Sequence, residues 1–111
     1  MLILPIKKKW FDMIKSGKKK EEYREIKPYW TKRLFKTDIQ FDIEAIINKI
    51  RNGECNFSKT VILKNGYSKM APEMKCICKI KLGQGKLEWG AEEGKEYYIL
   101  EILEIVGGED E

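Results

Sequence analysis

A chain of 111 residues with 42% hydrophobic and 36% charged side chains and a net charge of +4 suits one small domain, and its recurring apolar segments exclude a disordered polyelectrolyte. It has no histidine, which removes the commonest general base at neutral pH and the commonest zinc ligand. The three cysteines (Cys55, Cys76, Cys78) are odd in number and include a CxC pair, so neither a disulfide framework nor a metal site is expected, and free thiols point to the reducing cytoplasm.

Leu2 to Ile6 reads as a first strand, and Pro5 puts it at an edge or a strand end. The apolar run before Lys7 is far too short for a signal peptide or a membrane span. Residues 7–15 place Trp10, Phe11 and Ile14 at helical spacing, with Gly17 as the stop. Lys7, Lys8 and Lys9 stand where the helix dipole disfavours cations, and no Ser, Thr, Asp or Asn caps the start. Residues 21–26 read as a strand with Tyr23 facing the core and Glu22 and Arg24 on the opposite face. Both faces mix charge with apolar groups, a breach of ordinary strand patterning of the kind found at functional sites.

Pro28 starts a short helix with Trp30 and Leu34 on its packed face. A second helix is expected over 42–52, capped by Asp42, striped by Ile43, Ile46, Ile47 and Ile50, and stopped by Asn52-Gly53. The remainder reads as strands. Residues 60–63 lead into an Asn65-Gly66 turn. Residues 75–82 alternate, with Cys76, Cys78, Ile80 and Leu82 inward, and end at Gly83-Gln84-Gly85. Residues 97–106 form a long apolar strand before an acidic tail, 107–111. Early helices and late strands imply one α+β domain over 1–106, a small mixed barrel of five to six strands with two to three helices.

Removing the three acidic residues Glu109, Asp110 and Glu111 from the net charge leaves +7, concentrated in the N-terminal half. Such a surface suits a polyanion such as RNA, and serves equally to keep a small globule soluble.

The run LPIKKKWFDMIKSGKKKEEYREI at 4–26 resembles the opening of an ASCH domain, a branch of the PUA-like superfamily. The matching elements are Gly17-Lys18-Lys19 and Glu22-Tyr23-Arg24. PYWTKRL at 28–34, LKNGYS at 63–68 and GQGKLEWGAEEGKEYYILEI at 83–102 resemble a stand-alone bacterial or phage-type subgroup. The resemblance spans nearly the whole chain; the 42–52 helix is its least recognisable part. It implies a β-barrel with a helix over one opening, and a cleft that takes RNA or a nucleotide. One branch of the family deacetylates acetylcytidine with a lysine after the glycine, a threonine on the next strand and a distant glutamate; other members are ribonucleases. Here the lysine corresponds to Lys19, and Glu22 stands where that branch has its threonine. A carboxylate thus replaces a hydroxyl, and Glu22 offers a general base instead. Glu88, before Trp89-Gly90, is the candidate for the distant glutamate.

The expected site residues are therefore Lys19, Glu22 and Glu88 for catalysis, and Lys19, Arg24, Tyr29, Lys32, Arg33, Asn65 and Trp89 for RNA or nucleotide binding. Arginine's planar fork fits phosphates and base edges, and exposed rings stack unpaired bases. The plain alternative is an intrastrand Glu22–Arg24 ion pair, which at a surface contributes only about 0–1 kcal/mol. Three functions stay open at this point: an RNA- or nucleotide-binding module, a small hydrolase or ribonuclease acting on nucleic-acid chemistry, and a non-catalytic protein-interaction factor. None calls for a cofactor or a membrane.

Overall fold

The structure, a computed structural model, describes residues 2–35, 43–53 and 58–108. Asp42, Cys55 and the acidic residues 109–111 lie outside the described residues. The architecture is α+β. The elements run β1 (Leu2–Ile6), α1 (Lys8–Lys15), β2 (Glu21–Glu25), α2 (Pro28–Phe35), α3 (Ile43–Arg51), β3 (Ser58–Asn65), β4 (Glu73–Gln84) and β5 (Glu96–Gly108), with one 3-10 turn at Leu87–Trp89. The five strands form one mixed sheet in the order β1-β3-β4-β5-β2. β1 pairs with β3 in parallel, and the other neighbours are antiparallel.

β1 and β2 are thus the two edges. Pro5 sits on one of them, where its missing N–H costs no ladder bond. The edges lie within reach of one another's side chains. Arg24 on β2 donates to the Pro5 carbonyl at 3.5 Å, and Arg33 on α2 donates to the Ile3 carbonyl at 3.4 Å. Two arginines therefore span the seam where the half-barrel would close.

The principal core holds Leu2, Leu4 and Ile6 of β1, Val61 and Leu63 of β3, Cys76, Cys78 and Ile80 of β4, and Tyr98 and Leu100 of β5. Phe11 and Ile14 cover it from α1, and Leu34 from α2. α2 is fixed further by Thr31, whose hydroxyl donates to the Lys27 carbonyl and shares a buried hydrogen bond with the Tyr98 hydroxyl. On α3 Ile46 is buried and Ile50 packs against the core, and Arg51 joins the helix to Glu96 by two hydrogen bonds of 2.9 and 2.7 Å.

A second, smaller cluster of Tyr23, Ala91, Tyr97 and Ile99 lies on the other face of the sheet. Its existence corrects the expected facing of β2. Glu22 pairs with Leu100 and Arg24 with Tyr98, and directly paired residues share a face. Glu22 and Arg24 therefore point to the principal core's side, and Tyr23 packs in the smaller cluster.

Three strands are longer than their patterns imply, and β3 reaches from Ser58 to Asn65 through its pairing with β4. β4 continues through Gly83 and Gln84 because Tyr97 and Glu96 pair with them. β5 runs on through Gly108 and bulges twice: Leu103 and Val106 are skipped between successive β4 partners. The bulges explain why its apolar run does not alternate.

Candidate nucleotide-binding cleft

Gly17 ends α1 at φ 86°, and the Lys19 N–H then donates to the Met13 carbonyl at 3.0 Å. This reversal turns Lys19 inward, and it is 1% exposed. Its Nζ lies 3.0 Å from Glu22 Oε1 and donates to the Trp89 carbonyl at 2.9 Å. The same ammonium sits 4.9 Å from the Trp10 ring centroid and 5.1 Å from that of Tyr23. Glu22, 6% exposed, holds Lys19 with one oxygen and Arg24 Nη1 with the other. Arg24 Nη1 donates also to the Tyr23 carbonyl at 2.7 Å, and its guanidinium carbon lies 5.0 Å from the Trp30 ring centroid.

Three charges are thus gathered at the rim of the core. An isolated buried charge is costly, and each of these is offset by a neighbour or a ring. Lys19 and Arg24 outweigh Glu22 by one positive charge. Burial holds the Lys19 amine below its ordinary pKa, against the pull of Glu22 in the other direction.

In front of this cluster lies a cleft of about 870 Å³. β1 contributes Ile3, Pro5 and Ile6; the start of α1 contributes Lys7, Lys8 and Trp10; β2 contributes Glu22 and Arg24. Tyr29, Trp30 and Arg33 line it from α2, and Asn65, Gly66 and Tyr67 from the end of β3 and the turn after it. Four of the lining residues are cationic and one is acidic. Lys8 is partly spent on Asp12, 2.7 Å away.

Of the expected residues, Glu22, Arg24, Tyr29, Arg33 and Asn65 meet in this cleft. Lys19 stands behind Glu22, outside the lining. Trp89 reaches the cluster through its backbone carbonyl, while its ring lies under Lys86 Nζ at 4.4 Å. Lys32 and Glu88 are exposed and lie outside the cleft lining. The cleft also contains Trp10, Trp30 and Tyr67, none of which is among the expected site residues. Trp30 does pack partly against the core, and its ring centroid also lies 5.0 Å from the Arg24 guanidinium carbon and 5.9 Å from that of Arg33. The signal available was the Trp30-to-Arg33 spacing of one helical turn beside an exposed Tyr29.

No family model, curated protein or solved structure matches this chain. Among the described residues, no cluster of three or more His, Cys, Asp or Glu side chains is placed to hold a metal ion, and no helix is long and apolar enough to cross a membrane.

Proposed function

We propose that this cleft binds RNA or a nucleotide, with Arg24 as its anionic anchor. The observation that carries the reading is how Arg24 is held. Glu22 and the Tyr23 carbonyl fix one guanidinium nitrogen, and the Trp30 ring lies against the group. Its Nε–H takes no acceptor among the described residues. A guanidinium immobilised before binding loses little entropy on contact and suits phosphate or a base edge. Arg33, Lys7 and the rings of Tyr29 and Trp30 supply the surrounding charge and stacking surface. The ASCH (PUA-like) resemblance of the sequence supports the same reading.

Fluorescence anisotropy with a labelled RNA oligonucleotide tests it. Binding at low salt should weaken steeply as salt rises, because phosphate contacts release counterions. Arg24→Ala should weaken binding at least tenfold and flatten the salt slope. Unchanged binding by Arg24→Ala rejects the reading.

A hydrolase remains the second reading, and one observation favours it: a buried carboxylate, Glu22, opens on the cleft beside a lysine held below its ordinary pKa. Both Glu22 oxygens already serve cations, which fits an orienting role for Arg24 better than proton transfer. Lys19 is enclosed by Glu22, a carbonyl and two rings, so its amine has no open side for a substrate. Deacetylation of acetylcytidine by the purified protein, lost in Glu22→Gln, would establish the hydrolase.

A further inference from the structure

We infer that the cleft takes a single-stranded nucleic-acid segment with at least two unpaired bases, and that Tyr67 is one of its two stacking platforms. This rests on the proposed binding function and narrows its ligand. Tyr67 is 90% exposed, yet it lines the cleft. Among the described residues it makes no ring–ring or cation–ring contact, so packing within the fold gives no account of it. Tyr29 is the second platform. It is 57% exposed and is held in place by the edge of Trp30, with centroids 4.9 Å apart at 84°, and by Arg33 at 5.5 Å.

The two rings come from different elements, Tyr29 from α2 and Tyr67 from the turn after β3. Each offers a face to one base. A mononucleotide uses only one of them. A duplex keeps its bases stacked on each other and presents none to either ring. The charges are spread in the same way. Arg24 lies on β2, Arg33 on α2 and Lys7 ahead of α1, an arrangement suited to successive phosphates rather than to one. Stacking on aromatic rings beside a basic track is the general chemistry of single-strand binding without strict sequence preference.

The test is fluorescence anisotropy at low salt with labelled single-stranded hexauridylate, a labelled hairpin duplex and unlabelled uridine monophosphate as competitor. The hexamer should bind at least tenfold tighter than the hairpin, and the mononucleotide should compete only at far higher concentration. Tyr67→Ala should weaken hexamer binding about tenfold, within the range set by loss of one stacked base. Tyr67→Phe should restore it, and the salt slope should not change in either variant. Tyr67 is so exposed that the substitution leaves the fold intact, which circular dichroism checks. Equal binding by Tyr67→Ala and wild type overturns the inference, as does a hairpin bound as tightly as the hexamer. If Arg24→Ala weakens binding and Tyr67→Ala does not, this inference falls and the broader reading stands. If the hexamer and the mononucleotide both fail to bind, both fall.

Discussion

Lys19 Nζ lies 3.0 Å from Glu22 Oε1, and both side chains are almost wholly withdrawn from water. The pair is not an ornament of the surface, because neither partner has solvent to fall back on. Removing one leaves the other's charge buried with less compensation, which costs about 3–5 kcal/mol where no other partner exists. Arg24 remains beside Glu22, so Lys19→Met should destabilise by about 3 kcal/mol, the lower end of that range. Glu22→Gln should cost a similar amount, since it leaves two cations without their carboxylate. The double variant should lose less than the sum of the two. Urea unfolding of the three variants checks this, and strictly additive losses would show that the residues are not coupled.

Gly85 is the position where the second cluster admits no side chain. A Cβ there would lie 2.6 Å from Tyr23 Cζ and 2.7 Å from the Ala91 Cβ. The Tyr23 ring cannot easily yield. Its hydroxyl donates to Glu21 at 2.7 Å and accepts the Lys86 N–H at 3.0 Å, and its ring packs on Tyr97 with centroids 5.5 Å apart. Gly85→Ala should therefore destabilise by about 1–3 kcal/mol through overpacking. Gly107→Ala is the control, since its Cβ would meet nothing closer than the Lys75 Cβ at 3.9 Å. Thermal midpoints of the two variants make the comparison, and equal midpoints would contradict the packing argument.

Local pattern carried much of the fold, and its failures have physical causes. The α1 stripe, its stop at Gly17 and the alternation of β4 follow from period and turn chemistry alone. The facing of β2 does not, because both sides of that strand are buried and polarity cannot choose between them. The bulges at Leu103 and Val106 are set by pairing with β4, which is distant in sequence. At the site, Glu22 and Arg24 stood out because they broke the strand pattern. Lys19 is one of three successive lysines, and its burial depends on a carbonyl seventy residues away, at Trp89. Tyr67 follows the Asn65-Gly66 turn, and nothing in that local pattern places it beside β1, α1 and α2 at the cleft.

The Thr31–Tyr98 hydrogen bond links α2, which carries Tyr29, Trp30 and Arg33, to the centre of the sheet. Both side chains are fully buried. Thr31→Val leaves the Tyr98 hydroxyl without a partner among the described residues and should cost about 1–3 kcal/mol. Tyr98→Phe is milder, about 1 kcal/mol, because Thr31 still donates to the Lys27 carbonyl. Combining the two removes both ends of the bond, so the double variant should be more stable than the sum of the single losses implies. A double-mutant cycle by chemical denaturation reads the coupling directly, and a coupling near zero would remove this bond from the account of how α2 is held.

Alkaline pH should weaken the fold through its buried thiols. Burial pushes Cys76 up to about 11 and Cys78 up to about 12, from an ordinary value of 9.0. Both groups keep their protons in the native state and lose them in the unfolded chain above pH 9. The unfolded state then binds fewer protons, so stability falls as pH rises from 9 toward 11–12 and is unaffected by these groups well below 9. The Tyr98 phenol, also raised by burial, acts in the same direction. Lys19 acts in the opposite one: its folded pKa is lowered from 10.5, so between the two values the unfolded chain holds the extra proton and stability rises with pH. The thiol contribution is isolated by comparing wild type with Cys78→Ala under reducing conditions. At pH 7 the variant should be the less stable, through lost packing, and the gap should narrow steadily between pH 9 and 11. Urea unfolding at each pH measures that gap, and a gap that stays constant would show that the buried thiol does not govern the alkaline loss.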